Sequence, residues 1–333
     1  MKGKKILVIG DGGWGTALAI LLHKRGHRVT LWSAFPDYAR ILRQKRKNTK
    51  FLPGIPIPRG VIITADAGKA KEAIDFVVVA VPSRYLRSVL ERFEGYIRPE
   101  TCVVSVTKGI ERMTLLRPSE LIRKALGSRA IVVLSGPSHA EEVARNLPAT
   151  VVAACEDMRY SREVQANLST ERFRIYTSSD VVGVELGGAL KNIIAIAAGI
   201  SDGLALGDNA KAALMTRGLA EITRLGLAMG ARAETFSGLS GLGDLITTCA
   251  SPYGRNRAVG LAIGKGEKLR DILQAMEMVA EGVETTKAAR SLARRLGVQM
   301  PITEEVYRIL FRGKRALEAV NCLMTRALRP EAH

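Results

Sequence analysis

Scarcities frame this 333-residue chain. Aromatic residues make up 5% of it, and Cys102, Cys155, Cys249 and Cys322 show neither C-x-x-C nor metal-ligand spacing. No uninterrupted apolar run reaches the ~18 residues of a membrane span. The first leaves little material for stacking nucleobases, the second argues against a disulfide framework or a metal centre, and the third against a spanning helix. Acidic residues are also few, 32 against 50 Lys and Arg, for a formal net charge of +18. Basic chains favour anionic partners, whether nucleic acid, anionic bilayer or phosphorylated metabolite, and charge alone does not choose among them. The 47% hydrophobic content is ample for a soluble globular protein with two domains. A strand-like run follows Met1–Lys5 directly, with no leader pattern, so a cytoplasmic location is expected.

What is present centres on 183–200, an apolar, helix-length stretch interrupted by Glu185, Lys191 and Asn192. Those interruptions make it a buried core helix. At helical spacing Lys191 shares a side with Val184, Gly187, Gly188, Ile194, Ala195 and Ala198, most of them small. An ammonium in such surroundings needs a partner or a lowered pKa. The residues by themselves leave three roles open: catalysis, a structural ion pair, or a side chain snorkelling to solvent.

In chain order, Lys5-Ile-Leu-Val-Ile-Gly10 reads as a buried strand running into Gly10-Asp-Gly-Gly-Trp-Gly15, with a helix opening at Thr16. In that context G-x-G-x-x-G signals a dinucleotide site. Gly10 permits the turn, Gly12 lets backbone approach a pyrophosphate, and Gly15 allows close helix packing. The second strand, Arg28–Trp32, ends in Ser33 and Ala34, where an acid would hold the ribose 2′-hydroxyl of NAD. Without that carboxylate NADPH should be tolerated. The basic run Arg40, Arg43, Lys45, Arg46, Lys47 and Lys50 either supplies charge to a 2′-phosphate or is a solvated face.

Further strands are expected at 75–81, 101–106, 130–134 and 149–154, mostly separated by helices. This alternation predicts a doubly wound parallel sheet with ligands beyond the carboxyl ends of its strands. The loops at Gly10–Gly15, Ser33-Ala34, Pro82-Ser83, 107–109 and 135–138 should then share one edge, with Lys108 reaching it. Ser138 and Glu141 also fit a capping box. After 173–176 the pattern turns helical, Asp180 being a plausible cap, which predicts two domains, 1–180 and 181–333, the second all-α. The last residues, 329–333, read as frayed.

In the stretch 238–257, Asp244 and Thr248 lie four apart and share a helix face. Ser251 and Pro252 read as cap and first helical position, putting Gly254, Arg255 and Asn256 in an opening turn suited to phosphate.

Together these stretches resemble the bacterial-type NAD(P)-dependent glycerol-3-phosphate dehydrogenases over nearly the whole chain. The resemblance rests on GDGGWGTALA at 10–19, FLPGI at 51–55, TKGIE at 107–111, SGPSHAEEV at 135–143 and VELGGALKN at 184–192. It continues in GLGDLITTC at 241–249, SPYGRN at 251–256, VAEGVET at 279–285 and MPIT at 300–303. It implies reduction of dihydroxyacetone phosphate to sn-glycerol 3-phosphate by NADPH or NADH, feeding glycerophospholipid synthesis, in a homodimer. Carried over by motif, Lys191 becomes the general acid, with Asp244 and Asn192 beside it. Lys108, Gly136, Ser138, Thr248, Gly254, Arg255 and Asn256 would hold substrate. The cofactor would meet Gly10, Gly12, Gly13, Trp14, Gly15, Ala34, Lys108, Ala140, Arg255, Val279 and Glu281. No metal is implied.

Two positions depart from the family pattern. Ala34 stands where many relatives carry Arg or His, and Gly13 where a serine is usual. The 6-phosphogluconate and 3-hydroxyacid dehydrogenase group shares the general plan, and 241–256 separates it from the glycerol-phosphate reading. A rival from another class is a nucleic-acid- or anionic-membrane-binding protein driven by the +18 charge. No specific nucleic acid is expected, while weak membrane association alongside catalysis is compatible with the charge.

Overall fold

The computed structural model describes residues 3–127, 130–328, 330 and 331. Of the expected frayed end, Arg329, Ala332 and His333 lie outside the described residues. Among the described residues the first half forms an eight-stranded sheet. Its strands are β1 (Lys5–Ile9), β2 (Arg28–Trp32), β3 (Ile62–Thr64), β4 (Phe76–Val79), β5 (Cys102–Ser105), β6 (Ile131–Ser135), β7 (Ala149–Ala154) and β8 (Phe173–Ser178), in the order β3-β2-β1-β4-β5-β6-β7-β8. The reversal of strand order at β1 and β4 is the switch point where doubly wound sheets bind ligands.

Residue type explains the layers. Successive strand residues face opposite sides, so Ile6 and Val8 meet α1 (Gly13–Lys24), while Leu7 and Ile9 join the core under α3 (Ser83–Glu91) and α4 (Pro118–Leu126). The central strands are runs of Val and Ile buried on both faces, the composition of a helix-covered parallel sheet. Helices α2 (Pro36–Lys45), α5 (Ala140–Ala144) and α6 (Met158–Leu168) complete this half.

Two features depart from the sequence reading. Strand β3 was not expected. The sheet is also not wholly parallel, because β6 and β7 pair antiparallel, Val133 opposite Ala154, and β8 runs parallel to β7. The last two strands therefore finish at the edge away from the glycine loop. From there α7 (Val181–Gly203) starts on Asp180, whose carboxylate accepts from Gly183 N at 2.8 Å. At about 1.5 Å per residue its first ten residues carry the chain ~15 Å back, which returns Lys191 to the ligand-binding edge.

The second half is helical: α8 (Gly207–Ala228), α9 (Ala233–Ser237), α10 (Asp244–Ala250), α11 (Arg255–Gly264), α12 (Leu269–Ala275), α13 (Glu281–Leu296), α14 (Pro301–Arg312) and α15 (Ala316–Met324). They surround α7, whose Leu190, Ile193, Ile194 and Ile196 are almost wholly buried. Helix α11 meets α7 backbone to backbone. A Cβ at Gly260 would stand 2.0 Å from Ile196 O, and one at Gly199 2.0 Å from Arg257 O. Only glycine admits that approach, and it brings Asn256 to the side of Asn192.

Candidate active site

Two sets of groups occupy the carboxyl edge of the sheet. The first is the glycine loop. Gly10 has φ +113°, and a Cβ there would collide with Ala80 O; one at Gly15 would lie 1.9 Å from Gly10 O. A Cβ at Gly12, by contrast, meets nothing within 4 Å, so the backbone that caps α1 faces open space. The loop thus offers the free N–H groups of a helix start to an anion, and it fits the pyrophosphate of a dinucleotide.

Each cofactor candidate has a place near or away from this loop. Gly13 approaches Ala140, whose Cβ would be 3.7 Å from a Cβ at 13. Trp14 turns its ring onto Phe173, with centroids 6.3 Å apart, so its indole serves packing. Ala34 accepts a hydrogen bond through its carbonyl from Arg92 at 3.0 Å, and Val279 likewise from Arg255 at 3.0 Å. Glu281 accepts from the backbone N–H (2.8 Å) and hydroxyl of Ser83, tying the start of α13 to the start of α3.

The second set is the lysine pocket. Lys191 is 5% exposed and Asp244 1%. Lys191 Nζ donates to Asp244 Oδ1 and, at 2.6 Å, to Thr248 Oγ1. The other carboxylate oxygen of Asp244 accepts from Lys108 Nζ at 2.8 Å, and Lys108 also donates to Gly136 O at 2.8 Å. One carboxylate is thus shared by two ammonium groups. A π-type turn, Leu239–Gly243, delivers Asp244, and the missing side chains of α7 make room for it: a Cβ at Gly187 would lie 2.5 Å from Ser240 O.

The opposing influences on Lys191 resolve in favour of burial. Desolvation lowers its pKa from 10.5 to about 8; Asp244 pulls the other way, and Lys108 adds to the fall. Snorkelling is excluded by the burial. The neighbouring His139 was missed in the sequence. Burial first and Lys191 second push its imidazole below the ordinary value, and its Nε2 has no hydrogen-bond partner among the described residues.

Two expectations need correction. Ser138 does not cap a helix: its hydroxyl donates to Gly136 O at 2.9 Å, and α5 starts at Ala140 with His139 at the cap position. Ser251 ends α10 instead of starting a helix, and α11 begins at Arg255 with Gly254 as its cap. Asn256 donates to Asn192 Oδ1 at 2.8 Å and accepts from Gly282 N at 2.9 Å, which ties the start of α11 to α7 and α13. Asn192 meanwhile reaches Lys108 O at 3.4 Å. Among the described residues no His, Cys, Asp and Glu cluster is arranged to hold a metal ion.

Comparison with known proteins identifies the family. Residues 5–161 match the model of the NAD-dependent glycerol-3-phosphate dehydrogenase N-terminus, and 180–321 that of its C-terminus. The chain is 51% identical over 331 residues to a glycerol-3-phosphate dehydrogenase [NAD(P)+] of Geobacter sp. (strain M21), covering 98% of this chain and 99% of the relative. It is 50% identical to that of Geobacillus thermodenitrificans, covering 98% and 96%. The crystal structure of glycerol-3-phosphate dehydrogenase from Coxiella burnetii superposes with a TM-score of 0.94 at 39% identity, covering 98% of this chain and 100% of that one. With both halves matched in order by the family's models and relatives about half identical over the full length, the chain belongs to the NAD-dependent glycerol-3-phosphate dehydrogenase family.

Proposed function

We propose that the cleft between the glycine loop and α7 is the active site, with Lys191 as its proton donor. The reaction is the reversible reduction of dihydroxyacetone phosphate to sn-glycerol 3-phosphate by NADH or NADPH, a precursor-forming step for glycerophospholipids. The observation that carries the assignment is the buried Lys191–Asp244 pair with the partly exposed Lys108 on the second carboxylate oxygen.

Reduced nicotinamide, when bound, supplies the hydride. As the carbonyl oxygen gains negative charge, the Lys191 ammonium stabilises it and gives up a proton, leaving a neutral amine that water reprotonates. In the oxidative direction the neutral amine removes the hydroxyl proton. Asp244 fixes the direction of Lys191, while Lys108 adds a second positive charge where the substrate's reacting end would lie. Gly136 and Ser138 line the same wall, with Thr248 beside Lys191. Backbone N–H groups at Arg255 and Asn256, opening α11 on its cap Gly254, hold the phosphate, helped by the Arg255 guanidinium. Asn192 and Asn256 hold α7 against α11 and act as positioning residues.

The dinucleotide-binding unit is 1–180 and the helical unit 181–333, joined at the start of α7. The protein works in the cytoplasm as a homodimer. An apolar cavity of about 990 Å3 flanked by α8, α14 and α15, with Met324 and Leu328 exposed at its side, offers a surface for self-association. The +18 charge supports weak, salt-sensitive contact with anionic bilayers. The deciding assay follows absorbance of the reduced cofactor with dihydroxyacetone phosphate as the varied substrate. Substrate-dependent oxidation is expected with at least one dinucleotide. Inertness towards this substrate, with turnover of 6-phosphogluconate or a hydroxyacid, would defeat the assignment.

A further inference from the structure

Helix α11 opens on the turn assigned to the substrate phosphate and lies against α7 through glycines. Crossing angles between helices are set by side-chain ridges entering grooves, and Gly199 and Gly260 carry none. Backbone contact there fixes how near the two helices come, but little of how α11 is turned across α7. Side chains must supply the angle. The hydrogen bond of 2.8 Å from Asn256 to Asn192 gives one fixed point.

The second lies at the far end of α7. Arg257 donates through Nε to Asp202 Oδ2 at 2.7 Å, with Nη2 2.6 Å from the same oxygen. Lys211, on α8, donates to both oxygens of that carboxylate, at 2.8 and 3.0 Å. Asn256 and Arg257 are consecutive, yet their partners on α7 stand about ten residues apart, ~15 Å along the helix axis. Holding neighbouring residues at two such distant points resists rotation of the first turn of α11. Lys191 adjoins Asn192, so the same two points set where the phosphate lies relative to the proton donor.

Nothing in α7 itself favours an acid at 202. The residue sits in the last turn, where no basic residue accompanies it and the helix macrodipole disfavours negative charge. Burial also opposes its ionisation, but Lys211 and Arg257 outweigh it and hold the carboxyl below its ordinary value. Asp202 and Lys211 are 19% exposed in their side chains and Arg257 24%, so salt screens these pairs less than it screens surface ones.

We propose that Asp202 is a positioning residue for the substrate phosphate: through Arg257 it fixes the angle of α11, and hence the reach from the phosphate-binding turn to Lys191. This rests on the active site assigned above and adds to it a residue that acts on substrate only through α11.

The test is steady-state reduction of dihydroxyacetone phosphate and of phosphate-free dihydroxyacetone by the full-length parent, Asp202→Asn, Arg257→Met and Lys211→Met. A misplaced phosphate site harms only the substrate that carries a phosphate. Asp202→Asn should lower kcat/KM for the phosphate ester by ~10–100-fold, the range for a displacement of about an ångström, and leave that for dihydroxyacetone within about two-fold. Arg257→Met should do the same, whereas Lys211→Met leaves the Arg257 link in place and should keep the parent's ratio between the two substrates. Equal losses with both substrates would mark a general structural defect, and an unchanged or improved kcat/KM for the phosphate ester a link without function; either overturns the proposal. A Lys211→Met ratio altered as much as that of Asp202→Asn overturns the route through Arg257. If the parent itself uses the two substrates equally well, the phosphate-binding assignment falls and this inference with it.

Discussion

At the glycine loop the groups proposed to bind are backbone N–H groups of one hexapeptide, and the side chains matter mainly by their absence. At the lysine pocket the binding groups are side chains, and they come from distant segments: Lys108 and Asp244 are 136 positions apart, Lys191 and Asp244 53. The loop works by shape, since a helix start presents its donors wherever the chain can turn sharply enough. The pocket works by electrostatics, since an ammonium shifted to about 8 exists only where burial outweighs a carboxylate in contact with it. Chemistry that needs a shifted pKa requires tertiary structure, whereas holding an anion needs little beyond local geometry.

The largest expected effect separates the two regions. Lys191→Ala should lower turnover by ~10²–10⁴-fold, the range for a lost general acid, while the dissociation constant for NADH stays within about two-fold. Loss of NADH binding in that variant would show that pocket and loop are not independent. Next, Gly15→Ala should do the reverse. Its Cβ would lie 1.9 Å from Gly10 O, so the turn must open, destabilising the fold by ~1–3 kcal/mol in a melting experiment and weakening both dinucleotides. Unimpaired binding would mean the loop tolerates more than its geometry allows.

The smallest effect is a shift in pH. Reduction needs protonated Lys191 and should fall as pH rises through about 8, whereas oxidation needs the neutral amine and should rise over the same window. Asp244 raises the lysine pKa, so Asp244→Asn should move both profiles to lower pH, read from kcat across pH 6–9, a range set by the ~8 midpoint. Profiles moving upward would contradict the balance between burial and charge.

Much of this was legible along the chain. The spacing of Gly10, Gly12 and Gly15 after an apolar strand identified the loop, and Asp244 and Thr248 revealed their shared face through helical spacing. Asp180 was readable as the cap of α7. Strand direction was not readable, because a run such as Ala149–Ala154 has the same hydrophobic pattern whichever way it points, and three residues at 62–64 were too few to register. The capping box at Ser138 failed because its hydroxyl found Gly136 O instead. The reach of Asp244 to Lys191 came from resemblance, not spacing. Arg92 and His139 could not be placed, and Ser83 was placed at the edge but not against Glu281, since their meaning lies in partners far away in sequence.

Helix α7 has a consequence that begins before the fold exists. By length and composition it could cross a membrane, and α8, α10, α11 and α13, which bury it, all follow it in the chain. At ~5–20 residues per second of synthesis, the 53 positions between Lys191 and Asp244 take roughly 3–10 s, during which the helix lacks its counter-charge. Lys191 is the eleventh of the 23 residues in Val181–Gly203, and a charge at the centre of a bilayer-spanning helix adds ~2.5–3.5 kcal/mol to insertion. The ammonium proposed as proton donor in the finished enzyme therefore also biases the newborn chain away from lipid and towards water.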